Sequence, residues 1–506
     1  MNRSKIYRFR HGLAVPLAEL ALLDFTQFRE TLLDEVASGA RVVAYFGLPV
    51  DREVELYSIF AHDWTSELAL IRTRVCGSFP SLTPECPQLH LFERELAEQF
   101  GLRPEGHPWL KPVRFHRAWI DAADIWGRPA GEQPIPGDME FYRVEGEEVH
   151  EVAVGPVHAG VIEPGHFRFQ CHGEQVMHLE ISLGYQHRGI EQLLTGGPHP
   201  SSVYQMEAAA GDTTVGHTTV YAQLLESLAN CKVPLRAQAL RAIALELERL
   251  ANHVGDIGAL AGDVGFLPTA SFCGRLRGDY LNLTAELCGS RFGRGLIRPG
   301  GVGFDLDGTL PLPFLERLKQ LEENTRGAIE LCFDSPSVLG RFEGTGLVKA
   351  DAAEALGLVG VAARACGLVR DVRLHHPFGG LCDRFDTPII EFDGDVFARS
   401  NVRRREIYAS FELLHQLFKN LPEGEIRLPL GPLAAESLAV SLSEGWRGEV
   451  VHTAITDAQG RIARYKIIDP SFHNWSGLAL SLRGGQISDF PLCNKSFNLS
   501  YCGVDL

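Results

Sequence analysis

Apolar and polar positions follow two different rhythms along this chain. Between residues 40 and 75 they change at short range. Arg41-Val42-Val43-Ala44-Tyr45-Phe46 is rich in β-branched and aromatic residues, and Glu53–Phe60 and Glu67–Val75 alternate. That pattern predicts strands with one face turned to a core. A loop holding Pro80, Pro84 and Pro87 follows. Leu91–Phe100 then repeats at helical spacing and stops at Gly101, a residue suited to the left-handed turn that ends a helix. Residues 1–120 therefore read as a small α+β domain.

Gly127, Pro129, Gly131, Pro134, Pro136 and Gly137, with the acidic Glu145, Glu147 and Glu148, mark residues 121–150 as a linker. From 151 to 506 the rhythm is mostly helical. Glu151–His158 and Phe167–Leu183 predict a short sheet. Val203–Ala229 and Val233–Leu260 predict long helices; the second carries Leu240, Ile243, Leu247, Leu250 and Val254 on one face and Pro234 in its first turn. Helical patterns recur at 272–291, 311–332, 349–366 and 401–420, and strand patterns at Gly448–Ile455 and Ile462–Ile468. The expected fold class is α+β: a small N-terminal α+β domain joined to a large, mainly helical domain with a small antiparallel sheet.

Composition narrows the function. The formal charge of −16 argues against nucleic acid as a partner and against broad docking on anionic lipid. No stretch reaches the roughly 20 apolar residues of a membrane span, and Met1–Arg10 has no apolar core of a signal peptide. Membrane association is expected through partner subunits only. The 11 cysteines are scattered, suit a reducing cytoplasm, and include no CxxC pair. Gly300-Gly301-Val302-Gly303 lacks the lysine and the spacing of a phosphate loop, so NAD is expected to bind only to other subunits.

Ordered motifs then carry a resemblance. Phe79-Pro80-Ser81-Leu82-Thr83-Pro84, Leu91-Phe92-Glu93-Arg94-Glu95 and Glu105-Gly106-His107-Pro108 resemble the small, C-type subunit of complex I. Gly155-Pro156-Val157-His158, Glu163-Pro164-Gly165-His166-Phe167-Arg168, Gly184-Tyr185-Gln186-His187-Arg188-Gly189, Arg298-Pro299-Gly300-Gly301, Arg447-Gly448-Glu449 and Asp469-Pro470-Ser471-Phe472 resemble the large subunit of membrane-bound nickel–iron hydrogenases and the related D-type subunit of complex I. The resemblance spans nearly the whole chain and implies an electron-transfer oxidoreductase subunit of a membrane-associated complex. It implies as partner the B-like [4Fe-4S] protein of such complexes, which holds the iron–sulfur cluster, and membrane-arm partners of the H-like and antiporter-like kinds. It also implies a place on the cytoplasmic, inner face of the cell membrane.

A nickel–iron site needs four thiolates from two CxxC pairs, because soft ligands suit and bridge those metals. Counted from His217, the first pair falls on Ala210 and Thr213; the second falls on Ser500 and Gly503, with Cys502 between them. Methyl, hydroxyl and hydrogen side chains cannot replace thiolates, so no metal or other cofactor is expected on this chain, and quinone is the candidate for the remaining cavity. The chain also ends directly after the second pair, where hydrogenase large subunits of this kind commonly carry a cleaved extension. The resemblance places a proton-relay carboxylate at Glu163 and an arginine over the metal position at Arg447, and Asp212 and His217 are further candidate catalytic residues; the plainer reading of Arg447 is a buried ion-pair partner of Asp212 or Asp505. It places a quinone-facing segment at His158 and His166, with Tyr204 and Glu207 near the position of a quinone-facing tyrosine. Alternatives of another class are a non-catalytic scaffold and a formate hydrogenlyase-type hydrogenase subunit. Glu246, Arg249 and His253 share one helix face and are expected to form a paired network.

Overall fold

The computed structural model describes residues 5–120, 124–129, 131–158, 162–306, 311–379 and 387–506. In the N-terminal part, strands Arg41–Val50, Glu53–His62 and Glu67–Val75 form an antiparallel meander, extended by Tyr7–Phe9 (antiparallel) and Leu22–Leu23 (parallel) along its last strand. Helices Phe25–Ala37 and His90–Phe100 pack against it. Asp24 caps the first by accepting the Gln27 N–H. Gly101, at φ +62°, ends the second.

The rest is built on helices Leu235–Asp263, Leu267–Cys288, Pro311–Phe333 and Val396–Lys419. One antiparallel sheet pairs Val149–Val154, His166–His172 and Gln175–Ser182. A second pairs Ser437–Glu444, Glu449–Thr456 and Ile462–Ile468. The mixed α and β architecture with small antiparallel sheets is the fold class that the periodicity predicts.

Three features go beyond local pattern. First, Ala14–Pro16 adds a fourth strand to the second sheet, Val15 facing Leu438. Three residues are too few for periodicity to register, and the partner lies over 400 positions away. Second, the expected helix 203–229 is two helices, Ser202–Glu207 and Thr214–Leu228. The break at 208–213 is held from outside: the Trp446 indole N–H donates to the Asp212 carbonyl, 2.9 Å, and Arg447 holds the Asp212 carboxylate. Those bonds replace the helical ones. Third, the expected helix 349–366 is cut by Gly357 and Gly360, at φ +69° and +61°, a backbone region open to glycine.

The two parts of the chain share buried charge. Arg41 bridges Asp63 of its own sheet and Glu449 of the second sheet. Lys466 lies between Glu95 and Glu191. Among the described linker residues, Tyr142 N–H donates to Glu180 and the Gln133 amide to the Phe115 carbonyl. No helix of the described residues is long and apolar enough to cross a membrane.

Candidate functional site

Two short turns of matching spacing meet at the heart of the large domain. In the break before the Thr214–Leu228 helix, the Thr213 N–H donates to the Ala210 carbonyl, 2.9 Å. Near the C-terminus the Gly503 N–H donates to the Ser500 hydroxyl, also 2.9 Å. Arg188 ties the two together: one guanidinium nitrogen donates to the Ala209 and Cys502 carbonyls, 2.9 and 3.0 Å. The counted positions Ala210, Thr213, Ser500 and Gly503 therefore share one buried locus.

Arg447 reaches this locus from the tight hairpin between strands Ser437–Glu444 and Glu449–Thr456, closed by Gly445 N–H to Gly448 O, 2.8 Å. Its guanidinium is bidentate to Asp212, donates to Thr213 Oγ1 at 3.2 Å and to the Asn498 carbonyl at 2.5 Å, and stacks on Trp446 at 3.9 Å. All three guanidinium nitrogens donate to this chain's own groups, a geometry for which the planar fork of arginine is suited. The carboxylate pairing holds its proton affinity well above the usual guanidinium range despite burial. Of the two anticipated partners, Asp212 is the one found. Asp505 instead accepts the Gly184 and Gln186 N–H groups; burial pushes its carboxyl up to about 6.

On the opposite side of Thr213 lies a chain of fully buried polar groups. His217 contacts Asp469 through Nε2, 3.0 Å, and His452 through Nδ1, 3.0 Å; His452 Nδ1 contacts the Tyr465 hydroxyl, 2.7 Å. One set of tautomers satisfies all three bonds: Tyr465 O–H to His452, His452 Nε2–H to His217, His217 Nε2–H to Asp469. Burial and the neighbouring His217 hold His452 well below the usual imidazole range, so it stays neutral. Asp469 is buried too, yet the His217 hydrogen bond and the nearby Arg447 charge hold it below the usual carboxylate range. Its carboxyl lies 2.8 Å from where a Gly503 side chain would begin.

The donor set at the four counted positions does not fit a nickel–iron centre. It offers no thiolate, and Arg447 and Asp469 stand against Thr213 and Gly503 respectively. Cys502 brings a single thiol to the edge of the locus: it sits by Ser500 Oγ, at 3.5 Å, and by Glu163 and Gly211. Burial and Glu163 push it up to about 11, which keeps it a thiol.

The remaining named residues divide in two. Glu163 belongs to the locus, half-buried and accepting the Tyr501 N–H at 3.2 Å. His158 and His166 lie next to it but are tied to loop carbonyls, Gly165 O at 2.8 Å and Gly155 O at 3.2 Å. The Glu207 carboxylate turns to Arg298, 2.8 Å, and the Gly295 N–H. Tyr204 is an exposed ring under Arg298. Residue pattern alone did not mark His452 or Tyr465, which alternate in ordinary strands. The local signal for Asp469 is the Asp-Pro start of helix Pro470–Ser481, where its side chain accepts the Ser471 N–H, and that signal carries no role in the locus.

The chain is similar to known proteins over most of its length. The profile of the respiratory-chain NADH dehydrogenase 49 Kd subunit matches residues 263–437, and that of the 30 Kd subunit matches residues 29–125. The chain is 33% identical over 352 residues to the carbon monoxide-induced hydrogenase of Rhodospirillum rubrum, covering 69% of this chain and 97% of that one. It is 29% identical over 437 residues to formate hydrogenlyase subunit 5 of Escherichia coli K12, covering 84% and 77%. A chain from the structure of the membrane-bound sulfane sulfur reductase, an archaeal respiratory membrane complex, shares the fold with a TM-score of 0.65 at 22% identity, over 72% of this chain and 100% of that one.

Proposed function

The chain belongs to the family that joins the 49 Kd subunit of respiratory-chain NADH dehydrogenase with membrane-complex hydrogenases, with a 30 Kd-type unit fused ahead of it; on that premise we propose that it is the electron-transfer subunit of an energy-converting membrane complex that reduces a quinone-like acceptor without nickel. Electrons come from a [4Fe-4S] cluster in a B-like partner protein. Membrane-arm partners of the H-like and antiporter-like kinds move ions. The chain sits peripherally on the cytoplasmic side, and NAD, if used, binds elsewhere in the complex.

The observation that carries this reading is that Ala210, Thr213, Ser500 and Gly503, none of them a thiolate, surround an arginine bound to Asp212. Two-electron reduction of a quinone consumes two protons. The Glu163 carboxylate, beside the neutral Cys502 thiol, is placed to pass protons into the locus. The fixed positive charge of Arg447 favours an anionic form of the acceptor.

The test is elemental and kinetic analysis of the purified complex, wild type and Glu163→Ala. The proposal expects no stoichiometric nickel, and acceptor reduction that falls about a hundredfold in the variant, the lower range for loss of a positioned acid. Stoichiometric nickel with cyanide and carbonyl infrared bands would make the chain a hydrogenase subunit. Unchanged turnover in Glu163→Ala would make it a scaffold.

A further inference from the structure

Away from the Arg447 locus, a dense knot of buried charge lies behind the same hairpin. Arg249, Arg364 and Arg373 meet Glu246, Asp371, Glu406 and Glu444, all at most 5% exposed. Arg364 donates to Glu444 at 2.7 Å and to Glu406 at 2.8 Å. Arg373 binds Asp371 and Glu406, Arg249 binds Glu246, and His253 bonds Glu406 at 2.7 Å. Four carboxyl groups thus face three guanidinium groups. Burial holds His253 below its ordinary value, hence neutral, which leaves one negative charge unmatched. Burying an unmatched charge is strongly unfavourable, and keeping one proton removes that penalty.

Glu444 lines a cavity. The described residues enclose about 590 Å³ between helices Thr214–Leu228 and Leu235–Asp263, the end of strand Ser437–Glu444 and the segment 372–379. Thr219, Gln223, Ala242 and Ser443 share its wall with Glu444. The Thr219 hydroxyl is buried with no protein partner among the described residues, a polar lining that suits water. We propose that the Glu444 carboxyl is a proton-holding site that exchanges its proton with solvent through this cavity.

Every element packed around Glu444 contributes charge. Arg364 comes from the 360–364 helix; Asp371, Arg373 and the Val372 N–H come from the turn beside it. Glu406 lies behind Arg364, and Glu246, Arg249 and His253 lie on the long helix. Glu226, Arg241 and His376 line the same cavity. Burial, then the Asp371 charge, push Glu444 up to about 7, against the pull of Arg364 and Arg373. Arg249 also donates to the Glu444 and Gly445 carbonyls, 2.7 and 3.1 Å, so the knot grips the hairpin that carries Arg447.

Infrared difference spectroscopy of the resting complex tests this without turnover, so its outcome is independent of the acceptor chemistry proposed above. A protonated-carboxyl band that shifts in D₂O is expected below neutral pH, fading as pH rises through neutrality and missing in Glu444→Gln, which mimics the neutral acid and keeps the fold. Thr219→Val, nearly the same shape, removes the cavity's unpartnered hydroxyl and is expected to slow deuterium exchange of that band roughly tenfold. No difference between wild type and Glu444→Gln overturns the proton site. Exchange as fast in Thr219→Val and in the bulkier Ala242→Leu as in wild type overturns the route through the cavity.

Discussion

Arg447 and Asp212 lie 235 positions apart and meet as a two-pronged pair, Nη1 to Oδ1 at 2.5 Å and Nη2 to Oδ2 at 2.7 Å. The arginine side chain is buried, while the aspartate is 36% exposed. The pair closes the break between two helices and pins the hairpin to it. Lysine keeps the charge but has no planar fork. Arg447→Lys is expected to lower acceptor reduction by roughly tenfold, a transition-state loss of about 1.4 kcal/mol, with a small change in melting temperature. Steady-state kinetics and thermal unfolding on the same preparation check both.

Gly360 supports that hairpin from below. A methyl group there would sit 2.1 Å from the Arg447 carbonyl, on backbone at φ +61°. Gly360→Ala is expected to cost about 1–3 kcal/mol and to reduce turnover as Arg447→Lys does. Unfolding in denaturant gives the first figure and kinetics the second.

Restoring a single ligand residue should not restore a metal. A side chain at Gly503 begins 2.8 Å from the Asp469 carboxyl carbon and from Ser500 Oγ. Gly503→Cys is expected to destabilise the protein by about 1–3 kcal/mol through overpacking, without nickel in elemental analysis.

Glu449 completes the buried pairing of Arg41, whose other partner is Asp63. Removing one member of a buried pair costs about 3–5 kcal/mol. Because Asp63 remains, Glu449→Ala is expected toward the lower figure. Strand Ala14–Pro16 ties the N-terminal part to the second sheet, so denaturant unfolding should remain a single transition.

Asp505 is buried with its carboxyl raised from 3.8 to about 6. The folded state then holds a proton that the unfolded state has released at pH values between these limits. By linkage this group makes stability fall as pH rises from about 4 to 6. Asp505→Asn is expected to flatten that slope in a pH series of unfolding free energies.

Much of the architecture was legible because strands and helices write their periods locally. The strands at 41–75 and 449–468, the helix closed by Gly101 and the long helix after Pro234 lie where the apolar pattern puts them. The apolar run 203–229 misled because Gly211, Asp212 and Thr213 leave the helix for partners that periodicity cannot see. The buried network of Glu246, Arg249 and His253 was legible as a shared face, but its counter-charges Arg364, Arg373, Glu406 and Glu444 were not.

The order of residue types fixed what the locus is made of: a methyl, two hydroxyls and a hydrogen where thiolates would stand, since side-chain chemistry does not depend on the fold. Which groups close around those positions depended on the folded chain. Asp212 rather than Asp505 holds Arg447, Asp469 backs Gly503, and a histidine pair leads away to Tyr465. Each of these joins residues that are remote in sequence, and only packing of helices against the second sheet brings their polar atoms within bonding distance.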